Sequence, residues 1–171
     1  GAGAGGYRES HVEAISGPYT ASPLAATTSI PISASPGTYP IVVGAGGGQS
    51  GLYADGQNGS PSSFSTISAS GGGGGGGTGQ GPGNPGGSGG GGAGSDPGGA
   101  AGGAGTTNTG GGGGGSRNGS TGGQGGPGIV VLRVPTSGKP ASFAVAPGTN
   151  TTFTDGSDTI AVFTVTGTLT L

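Results

Sequence analysis

Runs of glycine decide what this chain can become. Residues 71–128 hold two thirds of its 51 glycines and only two charges, Asp96 and Arg117. The runs are GGGGGGG (71–77), GGSGGGGAG (86–94), GGAAGGAG (98–105) and GGGGGG (110–115). Glycine/serine tracts are usually flexible coil, and glycine loses more freedom on ordering than any other residue. These runs, however, are similar in length and parted by polar or proline-bearing spacers: TGQGPGNP (78–85), SDP (95–97), TTNT (106–109) and SRNGST (116–121). A tether has no use for such punctuation. Short repeated units joined by turn chemistry predict elements that stack on one another.

The element open to glycine is the polyproline-II-type helix, with three residues per turn and about 3.1 Å rise. It makes no internal hydrogen bonds, so its N–H and C=O groups are offered to neighbours. With only hydrogen on Cα, such helices can approach closely enough to bond laterally, and Cα–H···O contacts add a second-order term. Seven residues span about 22 Å at that rise. Ser88, Ala93, Ala100, Ala101 and Ala104 then mark faces turned outward.

Composition narrows the remaining choices. Charged residues make up 6% of the chain and hydrophobic ones 27%, too few for an ordinary core. The net charge is only −2, whereas disordered chains of low hydrophobicity usually carry a high one. Backbone bonding must therefore hold the fold. Four Lys and Arg make no basic patch, which argues against nucleic acid or an anionic membrane as partner. No apolar run approaches the roughly 18 residues of a membrane span. With no cysteine there is no disulfide framework or thiolate metal site. No signal peptide is visible, and the start at Gly1 suggests a fragment or a processed chain.

In chain order, GAGAGG (1–6) reads as a further polyglycine strand, and 7–15 and 27–33 as weak strands, the second demoted to an edge by Pro31. TYPIVV (38–43) is a strong strand running directly into GAGGG (44–48). The stretch 49–62 reads as one long turn-rich loop, and SFSTISA (63–69) as a strand feeding the seven-glycine run. IVVLRV (129–134) is the most apolar run. Residues 142–146, 159–165 and 168–171 read as C-terminal strands, with Val162, Phe163, Val165 and Leu169 on their buried face. Strands 38–43, 63–69, 129–134 and 159–165 are expected to share one core of Ile41, Val43, Phe64, Ile67, Val130, Leu132, Val162 and Phe163. The expected fold is all-β and irregular: a bundle of polyglycine helices with a small antiparallel β-part and no α-helix. Its glycine-rich domain is 1–134, with a polyglycine core at 71–128, and 135–171 is a C-terminal β segment packing on it.

The ordered series GAGGYRE, GTYPIVVGAGGG, SFSTISASGGGGGGG and GGQGGPGIVVLRV resembles the glycine-rich domain of bacteriophage tail fibres and tail-tip adhesins. The resemblance covers 1 to about 134, and the ending IAVFTVTGTLTL is similar to strands that close the β-part of such proteins. It implies a sandwich of polyglycine-II helices whose end loops contact a host surface receptor. Members usually carry one more strand before the first glycine run, so its absence here points to truncation upstream of Gly1. Departures are the insert at 11–35 and the few aromatic residues in the spacers.

Candidate sites are few. His11 lies near Glu9 and Glu13, too sparse a set for a metal. Asp155 and Asp158 flank Gly156, which reads as a hairpin turn better than as a Ca²⁺ loop, because the twelve-residue acidic pattern is missing. No G-x-S-x-G elbow or phosphate-loop Lys-Ser/Thr occurs, so no catalytic residue, metal or cofactor is expected. If each run reverses at each spacer, then 71–77 descends, 78–85 lies at the bottom, and 49–62, 95–97 and 116–121 gather at the top. That top end carries Leu52, Tyr53, Asp55, Asp96 and Arg117, the expected contact residues. The expected function is a non-enzymatic virion structural protein, a tail fibre or receptor-binding adhesin that is extracellular and virion-borne. Its partners are other virion proteins and a host surface protein or glycan, with a homo-oligomer left open. The alternatives are a capsid decoration protein and a secreted or cell-surface glycine-rich protein, including an ice-binding one.

Overall fold

Alternating β-branched and aromatic residues next to glycine and proline turns give short strands, and the strands among the described residues assemble into two small sheets. The computed structural model describes residues 37–49, 51, 54–76, 101–116 and 120–171. Its strands are β1 (Thr38–Val42), β2 (Ser62–Phe64), β3 (Ile67–Ala69), β4 (Val130–Pro135), β5 (Ala144–Ala146), β6 (Thr151–Asp155), β7 (Asp158–Phe163) and β8 (Gly167–Thr170). One 3-10 turn, Thr136–Gly138, follows β4, and there is no α-helix among the described residues. Pairing is antiparallel throughout, in the orders β3-β2-β1-β8-β5 and β4-β7-β6. The C-terminal β8 thus lies between β1 and β5, and β7 pairs with β4 from Val130↔Phe163 to Pro135↔Asp158. Pro40 sits inside β1, where its carbonyl accepts the Ser65 N–H. Its missing donor therefore faces the end of the β2–β3 hairpin and breaks no bond to β8.

One core joins the two sheets. Ile41, Phe64, Ala161, Phe163, Leu169 and Leu171 are buried together, with Tyr39, Val43, Ile67, Val130, Leu132, Phe143 and Val145 packed against them. Seven of the eight expected core residues are in this cluster; Val162 is not. On β7 the period of two sends Ala161 and Phe163 inward, so Val162 turns to the opposite face. Val165 is exposed as well, because the chain bends at 164–166 between β7 and β8. The stretch read as one strand over 63–69 is instead the hairpin β2–β3, turning at Ser65-Thr66 with Ser65 at φ 50°. β6 was not expected as a strand.

Beyond the sheets, the described residues include the irregular segments 44–49, 56–60, 71–76, 101–106, 110–116 and 120–128, joined backbone to backbone. Gly125 and Gly128 donate to Gly47 and Gly44, and Gln57 and Ser60 to Gly48 and Ala45. Gly56 and Gly59 donate to Gly75 and Gly72, and Gly102 and Gly105 to Thr121 and Gln124. Gly123 and Gly126 donate to Gly114 and Gly111; all these bonds are 2.7–3.2 Å long. In every pair the bonded residues are three apart on both segments, whereas a β ladder repeats in twos. Of these bonded pairs among the described residues, 101–106 with 120–128 is parallel and the others are antiparallel. Residues 56–60, expected inside a loop, thus run back along 44–48 toward the sheets. After the β2–β3 hairpin, 71–76 rises again beside 56–60, which reverses the direction expected for that run.

The segments pack too closely for side chains. A Cβ on Gly47 would overlap the Gln57 carbonyl oxygen, and one on Gly74 that of Gly56. The same holds for Gly113 against Gly123 and for Gly123 against Gly103. Carbonyl oxygens that face Cα hydrogens in this way are the arrangement of Cα–H···O contacts.

Candidate functional site

The glycine segments end in two places. At the sheet end, β1 continues into 44, and 128 continues into β4, where Gly128 donates to Gly44 and Gly44 donates to Ser62 Oγ at 2.9 Å. At the far end the chain turns between segments, and polar side chains gather there. Gln49 Nε2 donates to Thr121 Oγ1 at 2.8 Å, 72 residues away in sequence. Thr121 also accepts the Gly102 N–H through its carbonyl, so two contacts tie three segment ends together. Nearby, Ala54 donates to the Gly51 carbonyl, and half-buried Asp55 leads into Gly56, bonded to Gly75. Along the flank, Asn58 Oδ1 accepts the Gly74 N–H at 2.9 Å.

Of the expected contact residues, Asp55 lies at this loop end. Leu52, Tyr53, Asp96 and Arg117 lie outside the described residues. The two ends that were expected to coincide do so at 49 and 121, while 62 lies at the sheet end. The pairing of Gln49 with Thr121 was not legible: an isolated glutamine and threonine carry no pattern, and their meeting depends on the path of the chain between them. The turn 106–109 caps the sheet end, with Thr109 Oγ1 donating to the Thr106 carbonyl and Asn108 at φ 56°.

Elsewhere, Asp155 and Asp158 pair across the two-residue turn of the β6–β7 hairpin, as expected. The Asp158 carboxylate is taken by Arg133, whose Nε donates to Oδ2 at 2.6 Å. No group of three or more His, Asp or Glu that could hold a metal occurs among the described residues. His11, Glu9 and Glu13 lie outside them. No helix among the described residues is long and apolar enough to cross a membrane. The described part of the loop end thus carries amide, hydroxyl, carboxylate and backbone polar groups. Comparison of the chain with protein-family models, curated proteins and solved structures gives no match.

Proposed function

We propose that the glycine segments are polyproline-II-type helices and that the chain is a non-enzymatic structural protein of a phage virion, a tail fibre or receptor-binding adhesin. One observation carries the structural half. Along 120–128, Gly123 and Gly126 bond to 110–116, Gly125 and Gly128 bond to 44–48, and the carbonyls of Thr121 and Gln124 accept from 101–106. Three residue classes thus serve three neighbours, as a helix with three residues per turn requires. The functional half rests on the resemblance in motif order and on what such a scaffold offers. Its interior is backbone packed on backbone and cannot line a substrate cavity with side chains. Its loop end, held by a rigid array, is the place for contact with a host surface protein or glycan, or with a neighbouring virion subunit.

Antibodies against the chain, applied to phage particles that contain it, test the reading. Labelling of the tail with loss of adsorption is the expected result. Labelling of the capsid would move the protein to the decoration alternative, and purification of the chain from cells without particles would overturn a virion role.

A further inference from the structure

Among the described residues, β6 is an open sheet edge. Its five residues are all exposed, including Phe153 at 52%. The β6–β7 turn 156–157 has positive φ only at Gly156, the pattern of a two-residue type II′ hairpin. In such a hairpin the flanking residues exchange both hydrogen bonds, so Asp155↔Asp158, Phe153↔Ile160 and Thr151↔Val162 are the bonded pairs. Thr152 and Thr154 therefore turn their N–H and C=O groups away from β7. No hydrogen bond reaches those groups among the described residues. The phase agrees with the far side of the sheet, where Pro135 stands opposite Asp158 at a position that needs no donor.

The other sheet edges are blunted. β3 and β5 have three residues each, β5 runs straight into Pro147, and Pro135 removes a donor from β4. β6 has five residues, rich in β-branched and aromatic side chains, with its one charge at the end. Phe153 also extends an apolar outer face, lying across β7 from Arg133 and diagonal to Val131, which is 54% exposed.

We infer that β6 pairs antiparallel with β6 of a second copy of this chain, about a two-fold axis at Phe153. The strand is self-complementary in that register. Thr152 meets the partner's Thr154 as a hydrogen-bonded pair, which uses the four unpaired backbone groups on each strand. Phe153 meets the partner's Phe153 at a non-hydrogen-bonded position, where side chains come closest. Thr151 meets the partner's Asp155 on the same face, a hydroxyl donor against a carboxylate. Charge selects this orientation over the parallel one, which would set the two Asp155 carboxylates side by side. The product is a continuous six-stranded sheet, and the pairing is independent of what the glycine segments bind.

Cysteine scanning and sedimentation test it, and the chain's lack of cysteine makes the readout clean. Non-hydrogen-bonded Cα atoms lie about 4.5 Å apart, within the range a disulfide spans. Phe153→Cys should therefore cross-link into a covalent dimer on mild oxidation. Thr151→Cys should not, because its copy lies four residues along the partner strand, about 13 Å away. Wild type should sediment as a dimer at micromolar concentration. Thr154→Pro, which removes an outward N–H, and Phe153→Lys, at an exposed site, should sediment as monomers that still unfold cooperatively, with a melting temperature that no longer depends on protein concentration. A monomeric wild type, equal cross-linking of the two cysteine variants, or dimeric Thr154→Pro and Phe153→Lys would each overturn the pairing. Slow exchange of the Thr152 and Thr154 amides in a monomeric sample would also overturn it, since the edge would then be paired within one chain.

Discussion

At most positions in the array, glycine is present for room and not for backbone freedom. Among the described glycines only Gly110 and Gly156 have φ in the left-handed region. The others adopt angles open to any residue, yet a Cβ on Gly113 would overlap the carbonyl of Gly123. Overpacking against side chains costs about 1–3 kcal/mol, and backbone has less freedom to yield. Gly113→Ala should therefore destabilise by about 3 kcal/mol or more, read as a fall in the denaturation midpoint. Gly138 and Gly148 meet nothing within 4 Å, so Gly138→Ala and Gly148→Ala should be neutral or slightly stabilising. In the β-part the most exacting polar residue is buried Asn150. Its Nδ2 donates to the Ala146 carbonyl, and its Oδ1 accepts the N–H groups of Thr164 and Val165. Asn150→Ala strands those two donors in the bend between β7 and β8. The expected loss is about 2–4 kcal/mol by chemical denaturation.

At the scale of elements, the hydrogen-bond pattern predicts which amides are protected. Gly123, Gly125, Gly126 and Gly128 donate to neighbouring segments. Exposed Gln124 has no backbone acceptor among the described residues. Hydrogen exchange by NMR should show the four glycines slowed by about a hundredfold or more and Gln124 exchanging quickly. Uniformly fast exchange would refute the lattice. Part of this was legible in the sequence. Ala101 and Ala104, spaced by three in the run GGAAGGAG, are both exposed, as a three-residue repeat demands. Strands β1, β7 and β8 were readable from their apolar alternation, and β4 from its continuous apolar run. The β2–β3 turn was not, because Ser65-Thr66 lacks the glycine or asparagine that usually marks a tight hairpin. β6 was missed because TTFTD has a single apolar residue, and such an edge is shaped by its neighbour β7. Residues 56–60 resembled loop because what orders them is the backbone of 44–48 and 71–76, and backbone partners leave no trace in side-chain patterns.

For the molecule as a whole, the glycine-segment array and the two sheets share their junction. β1 runs into 44 and 128 runs into β4, and Gly128 bonds to Gly44 where both cross from one region to the other. Calorimetry should therefore show one cooperative transition. Its heat-capacity change should fall well below the usual 12–15 cal/mol/K per residue, roughly half. Unfolding the array exposes peptide groups, whose hydration lowers heat capacity, and the apolar contribution comes from the small core alone. Two separate transitions would refute the shared junction.

Bonding at every third residue also gives the glycine runs a phase. On the proposed three-residue helix, one extra glycine after Gly113 would barely change the composition, yet it would turn every later donor in that segment about 120° toward the wrong neighbour. Two extra residues would do the same in the other sense, and three would restore the match. Matched insertions of one, two or three glycines into 110–116 and 120–128 should therefore fall into two classes. The three-residue insertion keeps a melting temperature close to that of the parent, while the other two melt early or fail to fold. Lengths of these runs in functional variants are then expected to differ in steps of three.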